Sequence, residues 1–192
     1  REVICSNILC FFFNSNREHN LKDLFARSLL ELINAKEYGN HHYYCEKEVT
    51  TADNKRIDLV LTGNNTAVVI ENKIYADLNN DLDAYLEHIK DYKNKYGVVL
   101  SLKDIPKTNK KFEFITYKKL FEQIKKNIDF YMEKADKKYL TFLLDFMENI
   151  DNLREGYAMD KDFIEFLKKT EKTEKLADLI NRGRMFDEKL IK

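Results

Sequence analysis

The stretch from Arg56 to Lys73 limits the folds open to this chain more than any other. It reads Arg-Ile-Asp-Leu-Val-Leu-Thr, then Gly63-Asn64-Asn65, then Thr-Ala-Val-Val-Ile-Glu-Asn-Lys. Two runs rich in β-branched residues and leucine flank a turn tripeptide, which is a hairpin signature. If the chain turns on Asn64-Asn65, Gly63 faces Thr66. Counting back along both strands, Asp58 then faces Glu71. Directly opposed side chains stand roughly 4.5–5.5 Å apart at Cβ. Lys73 lies two residues beyond Glu71 and projects from the same face. This register gathers two carboxylates and an ammonium, whereas a slip of one residue would send Asp58 and Glu71 to opposite faces.

Elsewhere the period changes. Ile4, Ile8, Leu9 and Phe12 recur at helical spacing over 2–13. After a polar break at 14–20, Leu21, Leu24, Phe25, Ser28, Leu29 and Leu32 form the stripe of a second helix over 21–32. Residues 38–42 read as a turn and 43–51 as a strand. Beyond the hairpin the pattern predicts a helix over 77–92 and strands over 96–102 and 112–116. Helices are expected from Lys118 to the end, with breaks near Asp136 and over 155–159. This order implies an α/β fold in which a small mixed β-sheet is flanked by helices. The predicted organisation is a core over 1–117 and a C-terminal helical extension over 118–192, packed on or next to that core. Five glycines and one proline leave little room for flexible linkers. The lysine-rich tail from Lys161 keeps Phe163, Phe166, Leu167, Leu176, Leu179 and Ile180. It reads as a helical cap or an interaction surface, a homodimer contact included.

Thirty-three basic and 33 acidic residues cancel, so no global positive field draws the chain to nucleic acid. That argues against a protein that merely coats DNA, but it leaves a local basic groove open. Cys5, Cys10 and Cys45 form no CxxC motif. Neither a disulfide framework nor a zinc knuckle is expected, and a reducing cytoplasm fits. The apolar run over 3–13 is too short to span a bilayer, and no small-residue cleavage site follows it. It is expected to be a buried helix, with no membrane partner. The chain opens on Arg1 rather than Met, which leaves room for residues upstream.

Opposed like charges on paired strands repel, and Asp58 and Glu71 sit at the ends of strands that look buried. A hard divalent cation such as Mg²⁺ offsets the repulsion, because it takes one or two carboxylates together with waters and phosphate oxygens. Such an ion polarises a phosphate and acidifies a water. Lys73 could orient that water or stabilise charge developing on phosphorus, and the backbone carbonyl of Asn72 is placed to complete the shell. The same three residues also describe a solvated face with a surface ion pair of little value. Spacing alone leaves both readings open.

Arg56-Ile-Asp58, the apolar strand and Ile70-Glu71-Asn72-Lys73-Ile74 resemble the core motif of the PD-(D/E)xK nuclease superfamily. The nearest likeness is to a bacterial branch with an IENKI-type strand. The resemblance spans 2–116, with Glu2, Asn7-Ile8-Leu9, His19 and Leu21-Lys22-Asp23-Leu24-Phe25 matching the branch's opening elements. It implies a restriction-endonuclease-like core and a Mg²⁺-dependent nuclease, with Mn²⁺ as a substitute and DNA as the expected substrate. It implies that Asp58 and Glu71 bind metal, that Lys73 is the catalytic lysine, and that Glu2 is a further ligand. Glu2 also reads as a carboxylate favoured by the helix dipole, and Glu48 on the first strand is an alternative ligand. The branch carries a Gln-Leu-x-x-Tyr segment after this strand. Here the segment is Asp81-Leu82-Asp83-Ala84-Tyr85, so Tyr85 matches and Asp81 departs. That change puts the usual substrate contact in doubt and leaves the metal-binding core intact. It also keeps open a catalytically inactive module that retains the fold for binding nucleic acid or for assembly. Bacterial defence is the setting that the branch suggests.

Other features point less sharply. Tyr75 follows the Glu-x-Lys strand and could stack on a base. Residues 107–111 form a basic loop that could touch phosphates. His19 reads equally as a structural loop residue. Adjacent His41 and His42 would point apart on a strand, so they are not expected to share a metal. No P-loop or dinucleotide fingerprint occurs, and Ser101 and the cysteines have no matching acid and base nearby in sequence.

Overall fold

Ala67-Val68-Val69-Ile70 is apolar without alternation, as a strand covered on both faces should be. These residues form the centre of β3 (Thr66–Lys73), which is buried along its length up to Lys73. The computed structural model describes residues 2–36, 42–74 and 82–156. β3 is the middle of a five-stranded sheet in sequential order: β1 (Tyr44–Thr50), β2 (Arg56–Gly63), β3, β4 (Asn94–Ser101) and β5 (Phe112–Thr116). The first three strands are antiparallel, and β3, β4 and β5 run parallel. The hairpin turns as expected. Gly63 pairs with Thr66, Leu61 with Val68 and Leu59 with Ile70. Asn64 takes the left-handed backbone that the tight turn requires (φ 42°), a conformation Asn tolerates.

The sheet's two faces carry unequal layers. Leu59, Leu61, Val68 and Ile70 join a large core built with α1 (Glu2–Phe13), α2 (Leu24–Leu32), α4 (Tyr117–Asn127) and α5 (Lys137–Arg154). Val60, Ala67, Val69 and Val99 form a smaller core with Leu82 and Tyr85 of α3 (Leu82–His88) and with Ile89 and Phe112. No helix among the described residues is long and apolar enough to cross a membrane.

Several boundaries differ from the periodic reading, each for a local reason. α2 begins at Leu24, not Leu21, because Asn20 and Lys22 have φ of 55° and 49° and break the helix. Asp23 precedes α2 without capping it; its Oδ1 accepts from the Tyr131 hydroxyl at 2.9 Å instead. α3 stops at His88, after which Ile89, Lys90 and Tyr92 bond three residues back. α4 ends at Asn127, and a short 3₁₀ turn over Ile128–Phe130 separates it from α5. Asp136 marks a helix start, since its carboxylate accepts from Lys138 N at 2.9 Å and caps α5. The expected start of the third helix over 77–81 and the tail from residue 157 lie outside the described residues.

Candidate active site

Asp58 lies two residues along β2 from Val60, and Glu71 lies two residues along β3 from Val69, so both face the α3 layer. The hairpin register therefore does what the spacing requires and turns both carboxylates to one side. Lys73 closes the group, its Nζ 2.8 Å from Glu71 Oε1. Asp58 Oδ2 accepts from the backbone N–H of Asn72 at 2.8 Å, which fixes its direction. Glu71 is 1% exposed, a depth at which a carboxylate needs partners. α1 packs on the opposite face, yet Glu2 reaches round the end of β3. Its Oε1 accepts from Ile74 N at 2.9 Å. The group stands at the carboxyl end of β3 where it runs beside parallel β4, the usual place for ligands in α/β sheets.

The electrostatics are those of a cluster short of positive charge. Burial pushes the Asp58 carboxyl up; the Asn72 N–H and Lys73 pull it down, and Glu2 pushes it up again. Burial and then the neighbouring Asp58 push Glu71 up, against Lys73 and Tyr85. Burial works to lower Lys73, but Glu71, Glu2 and Asp58 outweigh it and hold the ammonium above its ordinary range. Glu2, Asp58 and Glu71 thus share the field of Lys73, with Arg56 acting on Asp58 as the weakest of its influences.

Other residues singled out by the sequence fall at varied distances from this group. Tyr85 is 2% exposed and its hydroxyl donates to the Arg56 carbonyl at 2.9 Å, beside Glu71. Tyr75 and Asp81 lie outside the described residues, as does His41. Glu48 is exposed on β1 with φ 53°, and its carboxylate is 3.5 Å from the Arg56 guanidinium. Lys107 and Lys111 of the basic loop pair with Glu113 at 3.1 Å and Asp83 at 3.0 Å. His19 is fully buried in a structural loop, and His42 is exposed. Asn72 carries more than a backbone role. Its buried side chain donates to Ser6 Oγ at 2.9 Å and to the Glu2 carbonyl at 3.2 Å, and accepts from Tyr117 OH at 2.8 Å. Ser6 and Tyr117 were not foreseen. Their one sequence signal is a polar group standing in each of two apolar helix stripes.

A model of the PD-(D/E)XK nuclease superfamily matches residues 1–168. The chain belongs to this superfamily. No curated protein and no solved structure matches it. Members of the PD-(D/E)XK superfamily are generally nucleases and typically use divalent metal ions. The mixed sheet with flanking helices agrees with its restriction-endonuclease-like α/β fold.

The side chains of the site can be set against a divalent ion. Among the described residues, no group of three or more His, Cys, Asp or Glu side chains is arranged to hold a metal ion. Buried Glu71 and half-buried Asp58, whose charged forms are disfavoured, are a donor pair that fits a hard divalent cation completing its shell with waters and substrate oxygens.

Proposed function

We propose that this chain is a Mg²⁺-dependent phosphodiesterase that hydrolyses DNA, with Mn²⁺ able to substitute. Asp58 and Glu71 would hold the cation and the Asn72 carbonyl would add a neutral oxygen; Glu2 is assigned as a further ligand by the family resemblance alone, since no three such side chains among the described residues are arranged to hold an ion. The observation that carries this reading is the convergence of Asp58, Glu71 and Lys73 at the end of β3, with both carboxylates pushed toward their neutral forms. A cation bound there supplies charge neutralisation at the phosphate and a more acidic water.

The chain's own groups do the rest. The Asn72 N–H holds the Asp58 carboxylate in one rotamer. Lys73 keeps Glu71 oriented, and its ammonium can donate to the attacking water or to a phosphate oxygen as negative charge grows there. Tyr85 braces the far side of Glu71. We assign Tyr85, Tyr75 and Asp81 to the path of the substrate by their place after the Glu-x-Lys strand. The setting of the reading is bacterial defence in the cytoplasm, with pairing of two copies through the C-terminal helices, and it rests on family analogy.

The test is cleavage of plasmid, short DNA and short RNA in Mg²⁺, Mn²⁺ or EDTA. DNA cleavage should vanish in EDTA and fall by about 10²-fold or more in Lys73→Ala, the scale of losing one preorganised donor. Metal-independent cleavage, or full activity of Lys73→Ala, sinks the mechanism. Calorimetry separates the other reading of the fold. Nucleic-acid binding without measurable Mg²⁺ or Mn²⁺ binding identifies a non-catalytic module.

A further inference from the structure

Glu2 presents a geometric puzzle. It belongs to the layer on one face of the sheet, while Asp58, Glu71 and Lys73 face the other layer. Something must hold the first turn of α1 against the end of β3 so that its carboxylate reaches round. The hydrogen bonds identify the holder. Asn72 lies between Glu71 and Lys73, so its side chain points to the α1 face. There its amide nitrogen meets the Glu2 carbonyl at 3.2 Å and Ser6 Oγ at 2.9 Å. Its amide oxygen accepts from Tyr117 OH at 2.8 Å. A carbonyl can only accept, so the Glu2 carbonyl fixes which way the amide is turned. Tyr117 is fully buried at the start of α4, directly after the helix cap Thr116, so its hydroxyl is a rigid anchor.

We infer that Ser6, Asn72 and Tyr117 are positioning residues that set the Glu2 carboxylate at the end of β3. The same Asn72 serves both sides of the sheet. Its backbone N–H directs Asp58 on one face while its side chain docks α1 on the other. The Glu-x-Lys strand thus uses all three of its residues, the middle one to align two acids that come from different layers. Glu2's share in metal binding rests on the function proposed above; its position rests on these hydrogen bonds alone.

The test reads position and metal separately. Ile74 N–H donates to Glu2 Oε1, so its hydrogen exchange reports on Glu2 docking in the metal-free protein. Tyr117→Phe removes one hydroxyl and keeps the ring. It should speed Ile74 exchange about five- to tenfold, the loss expected from one buried hydrogen bond acting on local opening. In a Glu2→Ala background, where that exchange is already fast, Tyr117→Phe should add nothing. Phe112→Leu, whose ring packs against Gly97 in the smaller core on the other face of the sheet, serves as a control that lowers stability without touching this relay. It should leave Ile74 unchanged under native conditions. Unchanged Ile74 exchange in Tyr117→Phe, or an equal effect with and without Glu2, overturns the inference. Mn²⁺ titration by calorimetry then tests the rest. Weaker binding by Tyr117→Phe that disappears in the Glu2→Ala background extends the positioning role to the metal. Faster Ile74 exchange in Tyr117→Phe, together with a wild-type protein that binds no Mn²⁺, leaves the positioning role standing and defeats the metal reading instead.

Discussion

Two buried polar groups lie at opposite ends of this molecule's logic. One ties the loop after α1 to β1. Asn14 donates to the carbonyls of Cys10 and Cys45 and accepts from Cys45 N, at 2.8, 3.0 and 3.1 Å. Ser15 exchanges bonds with Tyr43, and His19 bridges the Asn14 carbonyl and Leu21 N. Its members are neutral, and each of these donors meets an acceptor. The other group is Glu2, Asp58, Glu71 and Lys73, where carboxylates outnumber the ammonium; burial raises the pKa of Asp58 and Glu71, Glu2 adds to the rise at Asp58, and Asp58 adds to that at Glu71. The first group behaves as a structural polar network does when fully satisfied. The second keeps an excess of one charge in a buried place, which stability alone does not explain. Perturbed titration of this kind, joined to a geometry that fits a ligand, is what marks a functional site.

The comparison can be broken most forcefully at Asn14. Asn14→Ala strips the side-chain partner from Cys45 N and one donor from each of two carbonyls, of which that of Cys45 keeps the Cys10 thiol, and should cost about 3 kcal/mol, since a buried group left without a partner costs roughly 1–3 kcal/mol. Urea denaturation measures that loss. Metal affinity, read on the variant below its transition, should stay at the wild-type value. A shift in metal affinity would mean that the two groups are coupled and the division drawn here is false.

His19 sharpens the same contrast through pH. Leu21 N–H donates to Nδ1, so the proton sits on Nε2, which donates to the Asn14 carbonyl. Burial between Phe11 and Phe12 lowers the imidazole pKa to about 4. The folded state therefore refuses a proton that the unfolded chain accepts near pH 6.5. Stability is fully present above that value and declines as pH falls toward about 4, by roughly 3 kcal/mol at most. Denaturation midpoints measured across this window should trace the decline, and His19→Asn should flatten it. An equally steep decline in the variant would assign the effect to other groups.

How far the chain could be read without coordinates follows the same divide. The hairpin register was legible through Gly63-Asn64-Asn65, a local turn signal: a turn on Asn64-Asn65 sets one pairing, whereas the unbroken apolar run of β3 does not by itself exclude a slip of one residue. The convergence of Asp58, Glu71 and Lys73 was legible with it. The start of α2 was not. Leu21 belongs to the apolar stripe, and only the backbone at Asn20 and Lys22 reveals that the helix begins later. The Asn72 relay was not legible either. It joins residues 6, 72 and 117, which come from three separate elements, and a lone Ser or Tyr on an apolar stripe carries no sign of its partner. Local chemistry shows in sequence, whereas a hydrogen bond between distant elements shows only once the sheet brings them together.

The smallest expected effect separates the two groups most cleanly. Asp58→Asn keeps an oxygen that can accept from Asn72 N–H and removes one negative charge. Because the fold raises the Asp58 pKa, the ionised carboxylate is a burden on the folded state at neutral pH, one relieved as pH falls through the folded pKa. Removing that charge should therefore stabilise the metal-free protein, by about 1 kcal/mol, the scale of burying a charged group once the Asn72 N–H and Lys73 have offset part of the cost. Thermal denaturation should show Asp58→Asn melting above the wild type in EDTA. Added Mg²⁺ or Mn²⁺ should reverse the order, since a ligand that binds only the folded state raises stability with its concentration and the variant has lost a ligating charge. A neutral substitution in the Asn14 group has no such gain available, because nothing there repels. If Asp58→Asn melts below the wild type in EDTA, the charge at this site is not in excess, and the contrast between the two groups fails at its central point.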